Sequence, residues 1–399
     1  MKVSTGRLSL ESPEPQRRRA LGTLFLTIFV NLLGFGIIIP LLPFYGVRLG
    51  ASPSVIGWIF ASYSLSQLIA SPILGGWSDR WGRRPVLIGS LIGTVLSFAL
   101  LGVAHSVALL FLSRILDGLS GGNIPTARAY IADITPPEKR AQSFALIGIA
   151  FGAGFVFGPA MGGLLAKISL DAPAWGAAVL ALLATVMAFF WLPETVHVTE
   201  TRKPPTLSAF TSVLGDGRLA YLLLLDFTIW AAVSVYQTTF ALFGEQRFQW
   251  DADQVGLVLA GAGFAGALAQ GGLVRVMVPR LGEKKVLSLG LAISAVALAG
   301  CAGAMSPRLF IAILIPAVIG SSMVTPALIS LVSQSAERDG QGRVQGVASS
   351  LESLGRALGP VWGNSVLQHY GGGPAYLSAA VVLGLAALMA TGLPSPAKT

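Results

Sequence analysis

A single cysteine, Cys301, in 399 residues excludes an internal disulfide and any multi-cysteine metal site. The three histidines, at 105, 197 and 369, are scattered too widely to point to a histidine-ligated metal. No nucleophile–base set is visible, so neither an enzyme, a metal nor a cofactor is expected. Charge is the deepest deficit. Only 11% of residues are charged and 53% are hydrophobic, whereas a soluble domain carries about 25% charged residues. Such a chain suits an outer surface that meets lipid.

The remaining charge is lopsided, with a formal net value of +9. A nucleic-acid partner would explain the sign but not the distribution. Lys2, Arg7, Arg17, Arg18 and Arg19 precede the first apolar run. Most other cations fall on alternate connections, among them Arg80, Arg83, Arg84, Arg128, Lys139, Arg140, Arg202, Lys203, Arg218, Arg275, Arg280, Lys284, Lys285, Arg338 and Arg343. The intervening connections hold only Arg48, Lys167, Arg247 and Arg308. This is the positive-inside bias of a membrane protein, and it predicts both termini in the cytoplasm.

A spanning helix needs roughly 20 apolar residues. Twelve candidates are present: 20–44, 54–75, 85–104, 107–130, 142–166, 172–192, 219–243, 252–277, 286–305, 308–331, 343–368 and 374–393. The expected organisation is a disordered cytoplasmic tail over 1–19 and a six-helix bundle over 20–192. A cytoplasmic central loop over 193–218, a second six-helix bundle over 219–393 and a short tail over 394–399 follow. The halves repeat: Asp79-Arg-Trp-Gly-Arg-Arg-Pro-Val-Leu87 is echoed by Pro279-Arg-Leu-Gly-Glu-Lys-Lys-Val-Leu287, and Gly158-Pro159 by Gly359-Pro360. The fold class expected is all-α, with twelve transmembrane helices in two pseudo-symmetric bundles and a substrate cavity near the midplane. Gly261-Ala-Gly-Phe-Ala-Gly266 fits a dinucleotide-binding pattern, but no strand precedes it, and glycines for helix packing are the better reading.

The connection after the second span, Gly75-Gly-Trp-Ser-Asp-Arg-Trp-Gly-Arg-Arg-Pro-Val-Leu87, organises the first half. Gly75, Gly76 and Gly82 are read as allowing a sharp reversal, and Pro85 as the first turn of the next helix. The stretch resembles the loop between the second and third helices of the major facilitator superfamily, roughly G-x-x-x-D-R-x-G-R-R. Other segments narrow the resemblance: Gly34-Phe-Gly-Ile-Ile-Ile-Pro-Leu-Leu-Pro43, Arg114-Ile-Leu-Asp-Gly-Leu-Ser-Gly-Gly122, Gly148 to Gly163, and Phe243-Gly-Glu-Gln-Arg-Phe-Gln-Trp250. Together they look like the twelve-helix drug:H⁺ antiporters, closest to the tetracycline-efflux group. The resemblance implies a cytoplasmic gate built on Asp79, Arg80, Arg83 and Arg84, with Arg83 paired to Asp133 and Asp79 capping the eleventh helix; the alternative is that Asp79 caps only its own loop. It also marks Gly154, Gly158, Pro159 and Gly162 as the antiporter motif. Their four-residue spacing makes one packing stripe, and Pro159 can bend the helix.

Each charge inside a span costs about 2.5–3.5 kcal/mol on insertion scales, so it normally faces a partner or a cavity. Arg114 and Asp117 share one helical face, as do Glu352 and Arg356, while Asp226 shares a stripe with Trp230, Val233 and Gln237. Arg114 matches a family motif arginine. Mutual neutralisation and a transport role remain equal readings for Glu352 and Arg356. The tetracycline exporters carry aspartates where this chain has Asn31 in the first span and, roughly, Ser294 in the ninth. Asp117 is therefore the candidate proton carrier beside Arg114, with Asp226, Glu352 and Arg356 as further candidates. Asn31, Gln67, Asn123, Trp230 and Gln237 are expected to line the substrate cavity. Three carboxylates against two arginines point to cationic or zwitterionic solutes. The expected function is export of amphipathic drug-like or metabolite solutes in exchange for protons by alternating access. Alternatives are an uncoupled facilitator, a dedicated metabolite exporter, or a receptor on a transporter scaffold. The partners expected are a small-molecule substrate, protons and the lipid bilayer, with no nucleic acid. The chain is expected to be a monomer in a bacterial inner membrane.

Overall fold

A computed structural model describes residues 8, 13–121, 123–136, 139–195, 207–335 and 341–393. Most of the tail 1–19, the middle of the central connection and the tail 394–399 lie outside the described residues. The described chain is built from long helices: α1 (Glu14–Ile38), α2 (Pro53–Trp81), α3 (Arg83–Gly102), α4 (Val107–Ile134, interrupted at Gly121), α5 (Arg140–Ala166), α6 (Ala172–Trp191), α7 (Gly217–Phe248), α8 (Ala252–Leu281), α9 (Glu283–Gly303), α10 (Pro307–Ser335), α11 (Gln341–Tyr370) and α12 (Gly372–Thr391). At 1.5 Å per residue, even those of 20 residues span a bilayer core of about 30 Å. Eleven are apolar enough to cross a membrane by composition. The twelfth, α11, holds Arg343, Glu352 and Arg356.

Several boundaries differ from the sequence reading: α1 ends at Ile38 rather than residue 44, and α7 runs on to Phe248 rather than 243. Helix α1 begins at Glu14 rather than residue 20, so Arg17, Arg18 and Arg19 are helical and not part of a disordered tail. Helix α2 runs through Gly75 and Gly76 to Trp81, and neither glycine has an atom within 4 Å of where a Cβ would lie. The reversal is made by Gly82 alone. Its φ of +110° is open only to glycine, and Glu194 fills the space a side chain would need. Gly282, with φ +79°, makes the same turn between α8 and α9.

The helices form two compact units, one of residues 1–50 and 62–204, the other of 51–61 and 205–399. In the first, α1 packs on α5 and α6, and α3 packs on α4 and α6. In the second, α7 packs on α11 and α12, and α9 on α10 and α12. The internal repeat thus extends to the packing. Residues 51–61 join the second unit because Gly57 leaves room for the Pro360 carbonyl, 2.5 Å from where a Cβ would sit, and because the Ser54 N–H donates to Gln368 Oε1 at 3.0 Å.

The glycine stripe of α5 is the seam with α1. A Cβ on Gly154 would lie 3.0 Å from Leu32, one on Gly158 2.7 Å from the Gly36 backbone, and one on Gly162 2.7 Å from the Ile37 carbonyl. Backbone meets backbone, as small-residue stripes permit in membranes. The second unit repeats the device with Gly355, Gly359 and Gly363 of α11 against α7: a Cβ on Gly363 would lie 3.0 Å from Val235 Cα. Gly158→Ala is expected to push α5 off α1 and destabilise the protein by about 1–3 kcal/mol. Thermal unfolding of the purified protein checks this, with Gly148→Ala as a neutral control because nothing lies within 4 Å there.

Candidate functional site

The α2–α3 turn carries a charge knot. Arg83 is its hub. Its Nη1 pairs with the Asp79 carboxylate near the end of α2 and donates to Ser78 Oγ at 2.9 Å, while its Nε donates to Asp133 Oδ2 on α4 at 3.1 Å. Thr195 donates to the same Asp133 oxygen at 3.2 Å. Glu194, just beyond α6, accepts from the Arg83 N–H at 2.9 Å and from the Arg84 N–H at 3.3 Å. Its carboxylate caps the first turn of α3, where orphan amides and the helix dipole favour an anion. Arg84 reaches the other way, donating to the Phe189 carbonyl at 2.5 Å at the end of α6 and stacking over the Phe189 ring. Arg80 is exposed and stands outside this knot.

Sequence reasoning missed Glu194 as a cap, because nothing in local spacing links it to a turn more than 100 positions earlier. Glu194→Ala is expected to cost about 1 kcal/mol, the usual loss for a helix cap. A lowered melting temperature of the purified protein would show it.

The α8–α9 turn has a weaker version of the knot. Glu283 accepts from Ser330 Oγ at 3.1 Å and Gln334 Nε2 at 2.9 Å on α10, and Lys284 donates to the Leu393 carbonyl at the end of α12. Neutral partners replace the ion pairs of the first half.

Inside the first unit, Arg114 and Asp117 are both buried and pair at 3.1 Å between Nη1 and Oδ2. Nη2 of Arg114 is 3.3 Å from Ser97 Oγ and 3.2 Å from Ser113 Oγ, and the guanidinium lies over Phe98 at 5.7 Å. Ser97 and Ser113 exchange hydrogen bonds with each other's carbonyls at 3.0 and 3.1 Å, which ties α3 to α4 under the pair. Asn31 is half-buried on α1 and is not among the hydrogen-bond partners of Arg114. Gln67 donates to Gly121 O at 3.1 Å, where α4 is interrupted, and lies 3.3 Å from the Tyr63 hydroxyl. The side chain of Asn123 lies outside the described residues.

A cavity of about 240 Å³ lies inside the second unit. Trp230, Tyr236 and Gln237 of α7 line it with Gln270 of α8, Ser294 of α9 and Ser321 of α10. Trp230 and Gln237 therefore line this cavity, and Asp226 does not. Asp226 is buried, absent from the lining, and within electrostatic reach of Glu352 and Arg356 on α11. Arg356 lies over the Trp230 ring at 5.1 Å and reaches Ser353 Oγ at 3.4 Å. None of the three carboxylates expected to face solute lines this cavity. The wall was legible only in part: Gln270 belongs to a π-helical turn, Ala269–Val274, that no periodicity announces.

The model of the Major Facilitator Superfamily matches residues 24–279 and 245–399. This chain belongs to that superfamily. Within it, the chain is 35% identical to the class E tetracycline resistance protein of Escherichia coli over 84% of each. It is 31% identical to multidrug resistance protein 2 of Bacillus subtilis, covering 86% of this chain and 88% of that protein. Among solved structures, the human organic anion transporter MFSD10 (TETRAN) aligns with a TM-score of 0.72 at 26% identity, over 95% of this chain and all of that one. The nucleoside transporter NupG aligns with a TM-score of 0.79 over 94% and 99% at 15% identity, which is likeness of fold alone. The superfamily assignment makes this a multi-pass membrane transporter of small molecules, with the helices in its characteristic fold.

Proposed function

We propose that this protein exports amphipathic drug-like solutes in exchange for protons, by alternating access. What carries the reading is similarity over more than four fifths of the chain to tetracycline and multidrug resistance proteins. The buried Arg114–Asp117 pair supports proton coupling, because a carboxylate held by one guanidinium in a dry site can exchange that partner for a proton. Asp117 is assigned the proton, Arg114 its counter-charge, and Asp226 with Glu352 and Arg356 a second titratable group. Asp79, Arg83, Arg84 and Asp133 are assigned to the cytoplasmic gate. Basic residues on alternate connections support cytoplasmic termini and placement in a bacterial inner membrane. The protein is assigned as a monomer.

Everted membrane vesicles containing the protein test this reading. Tetracycline added to vesicles holding an acidic interior should drain the pH gradient faster than in vesicles without the protein. Equal rates would remove the exchange reading. Asn31 and Ser294, which leave two family carboxylate positions without a titratable group, support the second reading of an uncoupled facilitator.

A further inference from the structure

The cavity in the second unit has no Asp, Glu, Lys, Arg or His in its lining. Its polar surface is amide and hydroxyl. Ser294 Oγ is 3.2 Å from both Ala317 O and Ser321 Oγ, so the α9–α10 wall presents a paired hydroxyl patch. Gln270 lies on the α8 side of the wall. It sits exposed on a π turn, and its amide has no hydrogen-bond partner among the described residues. Single π turns inside α-helices recur at functional sites. Gly271 and Gly272 follow Gln270 within the same turn.

Charge decides what the cavity can take. A cation entering it would shed water without meeting a carboxylate in the wall, and a bare buried charge is far costlier than a hydrogen-bonded neutral group. The Arg356 guanidinium, a charge of the wrong sign for a cation, lies over the Trp230 ring. Asp226 and Glu352 lie within its field on α7 and α11, not in the wall. Size narrows the choice: a cavity near 150 Å³ holds benzene, so about 240 Å³ holds one substituted ring.

We propose that this cavity is a subsite for an uncharged, ring-bearing polar group such as a phenol or carboxamide, with the ring against Trp230 and Gln270 supplying the free hydrogen-bonding amide. The proposal deepens the exporter reading by naming the chemistry of part of its substrate, and it replaces the cationic preference expected from the sequence.

Equilibrium dialysis of the purified full chain in lipid nanodiscs tests it without requiring transport. The probes are chloramphenicol, a neutral nitroaromatic amide, and ethidium, a permanent cation. Chloramphenicol should bind saturably and at least about tenfold more tightly than ethidium. Gln270→Leu should weaken chloramphenicol by about three- to tenfold, the worth of one hydrogen bond, and leave ethidium unchanged. Gln270→Glu places a carboxylate in the cavity at nearly constant shape and should tighten ethidium by about tenfold or more. Both substitutions fall on an exposed side chain, so folding is preserved. Absence of saturable chloramphenicol binding, ethidium binding as tight as chloramphenicol in the unaltered protein, or indifference of both probes to the Gln270 variants would each overturn the subsite. A chain that exchanges drug for protons but fails this test loses only the subsite. One that passes it and moves nothing loses the exporter reading.

Discussion

Arg83→Ala is expected to lower gradient-driven transport by about tenfold or more while the protein still inserts and purifies as a single species. Arg83 binds two carboxylates, Asp79 on α2 and Asp133 on α4, with different nitrogens of one planar group. Removing it leaves two anions facing each other, both only partly exposed, and frees the α2–α3 turn from α4. Arg83→Lys should rescue poorly, because a single ammonium cannot reproduce the two-sided fork. Asp79→Asn should act in the same direction. The mirror substitution, Glu283→Gln, should be mild, since among the described residues Glu283 holds the neutral Ser330 and Gln334. Initial tetracycline uptake into proteoliposomes of matched protein content measures this series. An Arg83→Ala protein working at the full rate would remove the gate assignment.

The second large effect is expected at Asp117. Asp117→Asn keeps the shape of the side chain but cannot carry a proton. Downhill flux should survive, whereas accumulation against a concentration gradient, driven by pH, should fall to background. The same substitution leaves Arg114 buried without its ion-pair partner, and the serine pair beneath it is the remaining support. Folding is therefore to be checked by thermal unfolding alongside transport. Asn31→Asp in the Asp117→Asn background restores the family carboxylate on α1 and is expected to recover part of the accumulation. If accumulation survives the loss of Asp117, the proton assignment passes to Asp226 or Glu352.

The sequence showed the helices more clearly than their ends. Apolar runs located all twelve, because a bilayer imposes one length on every span. The ends went astray where polar or small residues stayed helical, as at Glu14–Arg19 and at Gly75 and Gly76, since only Gly82 has the positive φ that stops α2. Repetition was legible at Gly158 and Gly359, yet the full second stripe, Gly355, Gly359 and Gly363, emerged only when α11 was seen lying on α7. Arg83 with Asp133, and Arg114 with Asp117, are joined as the sequence reading has them. The stripe of Asp226, Trp230 and Gln237 divides instead. Trp230 and Gln237 face the cavity and Asp226 meets the charges of α11, a distinction that helical spacing does not carry. Glu194, Ser294 and Gln270 take their roles from partners far away in sequence, which no local pattern encodes.

Purified protein in proteoliposomes with no other component tests the exchange of drug for protons most directly. Tetracycline uptake is followed with an outward proton gradient, with no gradient, and with the gradient collapsed by an ionophore, while an internal pH dye follows protons. Proton-coupled exchange predicts accumulation above the external concentration only with the gradient, together with tetracycline-dependent alkalinisation of the lumen. Equilibration to the same level in all three conditions, with no drug-dependent change in internal pH, would contradict it.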